Sequence, residues 1–108
     1  TPIICLDTPY LDEQIKELFQ LDIEVSRCLF VYEPHPAIGT GNPISPKEAN
    51  HIAHQISFLV DYQSPVLYGG SVSSDNVKSF TDEPDISGVL VGTDSLNPTH
   101  FADIINCL

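Results

Sequence analysis

Methionine is missing from these 108 residues, and cations nearly so: Lys16, Arg27, Lys47 and Lys78 stand against 15 acidic residues, for a net charge of −11. So acidic a surface repels phosphodiester backbones and anionic lipid, which argues against nucleic-acid and membrane partners. No apolar run approaches the ~20 residues that span a bilayer, and no basic-then-apolar start reads as a secretory signal. The missing methionine implies either a removed initiator or a chain cut from something longer. Cysteine is sparse: Cys5, Cys28 and Cys107 are odd in number and lack C-x-x-C spacing. Two of them fall in apolar strand segments, so buried, reduced thiols in a cytoplasmic protein are expected. No linker, low-complexity segment or charge block divides the chain, which reads as one domain over 1–108.

What is present is an alternation of short apolar runs and helical patterns. Pro2–Leu6, Cys28–Tyr32, Pro65–Tyr68 and Gly88–Val91 are continuous and rich in Val, Ile and Leu, as strands of a parallel sheet covered on both faces would be. Thr8-Pro9, Ser45-Pro46 and Asn97-Pro98 each place a capping side chain before a proline at a helix's first position, and Glu48 completes a capping box with Ser45. Ala49, Ile52, Ala53, Ile56 and Val60 form one apolar stripe, and Phe101, Ile104, Ile105 and Leu108 another. A shorter helix after Ser73 or Ser74 carries Val77 and Phe80. The order β-α-β-α-β-α-β-α predicts an α/β fold with right-handed crossovers.

The chemistry gathers after the strands. Glu33 closes the run Leu29–Tyr32, and in βα proteins ligands collect at the C-terminal strand ends. A carboxylate there, shielded by a closing loop, can act as a base. An ordinary strand-end Glu bonded to a neighbouring loop weighs equally on position alone. Ala37-Ile38-Gly39-Thr40-Gly41 is the candidate lid, its glycines allowing close backbone approach to an anion. Tyr68-Gly69-Gly70-Ser71-Val72 exposes consecutive amides before a helix, and Val91-Gly92-Thr93-Asp94-Ser95-Leu96 offers a second such turn. Each alone is a common tight turn. His51 and His54 share a helix face without further ligands, so solvated histidines rather than a metal site are expected, and no cofactor is called for. His35 reads as an exposed hinge residue, and His100 falls in the first turn of the last helix.

Taken in order, Cys5-Leu6-Asp7, Tyr32-Glu33-Pro34 with Ala37–Gly41, Tyr68-Gly69-Gly70-Ser71-Val72, Leu90-Val91-Gly92 with Ser95-Leu96, and Phe101–Asn106 closely resemble the C-terminal four βα units of triosephosphate isomerase. The resemblance implies a partial TIM (βα)₈ barrel, a fold whose complete form needs roughly 250 residues. By that resemblance Glu33 is the catalytic base that shuttles a proton between two carbons of a triose phosphate. Gly39, Ser71, Gly92 and the Thr93 turn hold the phosphate, and Tyr68 and Ser71 latch the closed lid. The resemblance implies that such a Glu base works with a neutral His electrophile and a water-excluding loop.

There are departures. The family's Lys, Asn and electrophilic His belong to segments without counterpart in these residues. Pro36 stands where the first hinge usually carries a Trp. Thr93 and the acidic Asp94 follow Gly92 where a second glycine is usual, and the segment between Leu6 and Cys28 is short. The readings are therefore an isomerase chain weak or inactive alone, a non-catalytic self-assembling phosphate-binding half-barrel, or one half of a split enzyme. Triose phosphate or inorganic phosphate is the expected ligand.

Four parallel strands cannot close a barrel, and their open edges and inner face demand a cover. A homo-oligomer at micromolar concentration is the expected outcome, measured by light scattering. A sharp monomeric mass with cooperative unfolding would overturn it.

Overall fold

The computed structural model describes residues 1–108. Its elements run β1 (Ile3–Leu6), α1 (Leu11–Gln20), a 3₁₀ turn (Val25–Arg27), β2 (Leu29–Tyr32), a 3₁₀ turn (His35–Ala37), α2 (Pro46–Leu59), β3 (Val66–Tyr68), α3 (Val77–Thr81), β4 (Gly88–Val89), a 3₁₀ turn (Thr93–Leu96) and α4 (Pro98–Asn106). The four strands form one parallel sheet in the order β1-β2-β3-β4, and the sheet is not closed. Leu6, Tyr32, Tyr68 and Val89 pair in one row across it. No helix is long and apolar enough to cross a membrane.

The pleat sends alternate residues to opposite faces, and the helices cover only one, although Val31 on the other is also buried. Leu6, Phe30, Tyr32, Val66 and Tyr68 enter a core shared with Leu11 and Ile15 of α1, Ala49, Ala53 and Ile56 of α2, Val77 and Phe80 of α3, and Ile104 of α4. Tyr68 and Phe80 stack with ring centroids 4.2 Å apart. On the other face Ile3 is 55% exposed and Leu29 and Leu67 are half-buried. Cys5 shares that face, which is why it is exposed rather than buried as its strand position suggests, whereas Cys28 is buried.

Local chemistry explains most boundaries. Ser45 Oγ accepts the Glu48 amide (3.2 Å) and Asn97 Oδ1 the Thr99 and His100 amides (2.9 and 3.4 Å), so both caps act through the residues expected. Thr8 does not cap α1. Thr8 and Pro9 lie in a turn in which the Tyr10 amide donates to the Asp7 carbonyl. The Tyr10 carbonyl then accepts the first helical bond, from Gln14, and no side chain caps the helix. β4 ends at Val89 instead of Val91. Its partner β3 ends at Tyr68, whose carbonyl takes one last bond from Leu90 before the chain turns through Gly69. In α4 only Ile104 is buried, and Phe101, Ile105 and Leu108 are exposed. That helix packs mainly on the preceding 3₁₀ turn at the sheet's edge, with nothing over its outer side.

The Tyr68–Phe80 stack binds α3 to the sheet, and Phe80 is 1% exposed. Phe80→Ala should lose about 3–5 kcal/mol in urea unfolding. A loss below about 1 kcal/mol would mean that this layer contributes little to stability.

Candidate functional site

The register of the sheet decides where the site forms. One residue beyond the Leu6–Tyr32–Tyr68–Val89 row, the Glu33 amide donates to the Leu6 carbonyl (2.9 Å), Gly69 to Tyr32 (2.9 Å) and Leu90 to Tyr68 (2.9 Å). Glu33, Gly69 and Leu90 thus become neighbours on the uncovered face, and all three line a cavity of about 300 Å³. The approach is close. A Cβ on Gly69 would stand 2.9 Å from Glu33 Cγ and 3.1 Å from a Val31 methyl, so only glycine leaves room for the carboxylate.

Gly39, Ser71, Gly92 and Thr93 line the same cavity, together with Ser73, Asn76 and Asp94. Three separate loops are therefore brought together. The amides of Gly39, Ser71 and Gly92 donate to no acceptor within the chain. Unpaired backbone donors lining a cavity suit an anion, because the site offers them and water alone competes. No Lys, Arg or His lines the cavity, and its charged residues are the carboxylates Glu33 and Asp94.

The loop from Pro34 to Ile44 is held at its far end. Ser71 Oγ donates to the Ala37 carbonyl (2.5 Å) and accepts the Gly41 amide (3.0 Å). Tyr68 does not line the cavity. Its hydroxyl accepts the Ile44 amide (3.3 Å) from within the core. Burial pushes the Tyr68 phenol up to about 12, against the opposing hydrogen bond from Ile44, so it stays protonated wherever the protein works. Gly39 and Gly41 adopt φ of +67° and +75° in open space, so backbone conformation rather than crowding selects glycine there. At the near end the His35 amide donates to Asp7 Oδ2 (3.2 Å), and the His35 side chain is not among the lining residues.

One residue of the site, Asn76, escaped sequence reasoning. Asn76 accepts the Ser73 amide through Oδ1 (2.9 Å) and donates from Nδ2 to the Ser71 carbonyl (3.0 Å), bracing the Gly-Gly-Ser turn. The Ser73-x-x-Asn76 spacing could have signalled a local side-chain bond. Asp94 Oδ1 lies 3.6 Å from His100 Nδ1, a pairing that nothing in the sequence announces. His54 is exposed, as expected, and its Nδ1 also meets Asp85 Oδ1 at 3.2 Å, beside a two-way bond between Asn50 and Asp85.

Cys5 borders Glu33. Although the residue is exposed as a whole, partial burial of the thiol, then a hydrogen bond to the Glu33 carboxylate and its charge, push the thiol up to about 11. The thiolate is the reactive form, so it appears only as pH climbs toward that value. Alkylation of Cys5 by iodoacetamide should still be accelerating at about pH 10. Glu33→Gln should move the profile to lower pH without restoring it fully, since burial remains. A profile unchanged by Glu33→Gln would separate the two side chains.

The sequence matches the family model described as triosephosphate isomerase over residues 3–108. It is 38% identical over 116 residues to a triosephosphate isomerase of Prochlorococcus marinus (strain NATL2A), covering 97% of this chain and 47% of that protein. A triosephosphate isomerase of a Synechococcus strain, JA-2-3B'a(2-13), is 38% identical over 98% of this chain and 47% of its own length. One from Aquifex aeolicus is 38% identical over 88% and 42%. The chain spans about half the length of these curated relatives. With an open parallel βα sheet and a family match running almost end to end, the chain belongs to the triosephosphate isomerase family.

Proposed function

We propose that this chain supplies the base and the phosphate cradle for interconverting glyceraldehyde 3-phosphate and dihydroxyacetone phosphate. Glu33 takes a proton from one carbon of the triose phosphate and returns it to the next. The Gly39, Ser71 and Gly92 amides, with the Thr93 turn, hold the phosphate. Tyr68 and Ser71 latch the Pro34–Gly41 loop over both. The observation that carries this reading is the set of three unpaired amides, from three loops, lining one cavity with a strand-end carboxylate.

The reading includes an incomplete catalytic set. The Lys and electrophilic His of the family have no counterpart in these 108 residues. Without an electrophile the enediolate's charge lacks a preorganised partner, a loss of typically ~10²–10³-fold or more. The chain by itself is then weak or inactive, and the uncovered sheet face is where a completing partner sits. A second copy gives the homo-oligomer reading, and a chain carrying the family's other half gives the split-enzyme reading. The uncovered face and two unpaired sheet edges favour an assembly of one kind or the other. They equally support a non-catalytic phosphate-binding assembly.

Turnover of triose phosphate should be at most marginal for the chain alone and should rise on adding a chain with the family's N-terminal half. In the complemented mixture Glu33→Gln should cost about 10²–10⁴-fold in kcat. Turnover indifferent to Glu33→Gln would remove Glu33 as the base. Phosphate binding without turnover, even when complemented, would leave the non-catalytic assembly.

A further inference from the structure

We propose that Asp94 and His100 together set the charge preference of the Glu33 cavity, favouring a doubly charged anion when His100 carries a proton and disfavouring it when His100 is neutral. This rests on the phosphate reading above and goes beyond it by naming what regulates the ligand's charge state. The cavity offers an anion backbone amides, hydroxyls and the Asn76 side-chain amide but no cation, while Glu33 and Asp94 line it. A dianion entering it therefore gains directional hydrogen bonds against two like charges. Asp94 sits two residues beyond Gly92, whose amide is one of the three donors, and is the nearer problem.

The remedy is 3.6 Å away. His100 Nδ1 faces Asp94 Oδ1 across the junction of the last 3₁₀ turn and α4. The position is built: Asn97 Oδ1 fixes the Thr99 and His100 amides, which sets the first turn of α4 against that 3₁₀ turn. His100 is the only base within ion-pair reach of a carboxylate that lines the cavity. Asp94 from the turn faces it, and Asp103 follows one turn along α4. Neither is a base that competes with it for Asp94.

When protonated, His100 neutralises the Asp94 charge that a dianion meets. When neutral, it leaves that charge in place. Imidazoles change charge between about pH 5 and 8. Asp94 is 32% exposed and His100 57%, so solvent screening holds the effect to a modest size.

Sulfate is the probe, because unlike phosphate it keeps both charges throughout this range. The full chain is titrated at constant ionic strength at about pH 5.5 and 8.5, following the Gly39, Ser71 and Gly92 amide shifts by NMR. Sulfate should bind about three- to tenfold tighter at the lower pH. His100→Gln should abolish most of that ratio by losing the low-pH gain. Asp94→Asn should instead raise affinity at the higher pH. A ratio that survives His100→Gln would overturn the proposal and assign the effect to other groups. Sulfate that leaves the three amides unmoved at both pH values, in the native chain and in Asp94→Asn, would overturn the phosphate reading itself.

Discussion

Everything at this site depends on the flush parallel register of four strands. Leu6, Tyr32, Tyr68 and Val89 lie in one row, and three further backbone bonds carry the ladder one residue past it. That extra row puts Glu33, Gly69 and Leu90 side by side and starts three loops at one level. Slip β2 by one residue and Glu33 would exchange faces with Tyr32, burying a carboxylate among the helices and exposing a core aromatic. The Tyr32 and Tyr68 side chains on the covered face resist that slip. They belong to the core cluster, and the Tyr68 ring lies against Phe80. Packing on one face of the sheet thus fixes the chemistry on the other.

The strained residue of the site is held by the same economy. Ser71 has a φ of +55°, a conformation that disfavours side-chain-bearing residues by ~1–3 kcal/mol. Its hydroxyl bonds the Ala37 carbonyl and the Gly41 amide, and its carbonyl is held by Asn76. Three hydrogen bonds of ordinary worth, ~0.5–1.5 kcal/mol each, suffice to offset the strain. Glycine would relieve the backbone but release the loop from Ala37 and Gly41. Serine there is explained by the two loops that its hydroxyl ties together.

How much of this was legible in the sequence follows the range of the interactions. The strands and the Ser45 and Asn97 caps lie in contiguous motifs, so local pattern finds them, whereas the gathering of Glu33, Gly39, Ser71, Gly92 and Thr93 around one cavity depends on the sheet's register. The helix at Leu11 was misplaced because Asp7, not Thr8, organises that turn, using its carbonyl for Tyr10 and its carboxylate for His35. Cys5 looked buried because a parallel strand is ordinarily covered on both faces, and here one face is open. β4 ran short because a strand lasts only as long as its partner. The α4 stripe looked like core because an amphipathic pattern records a face without saying what meets it.

The near hinge shows how a departure from a family pattern can be physically coherent. Pro34 and Pro36 fix two φ angles around His35, and the Asp7 carboxylate holds the one amide between them. Leu6 meanwhile accepts the Glu33 amide, so the ends of β1 and β2 are joined at Glu33 and again at His35. Such a segment has few torsions left to move. The far end, by contrast, has Gly39 and Gly41 in left-handed conformations and is secured by side-chain bonds through Ser71 and Tyr68 rather than by its own stiffness. The glycine end is thus held by side-chain hydrogen bonds and the proline end by restricted torsions. Glu33 sits at the stiff end, where the bond from its amide to the Leu6 carbonyl fixes its place beside Gly69 and Leu90.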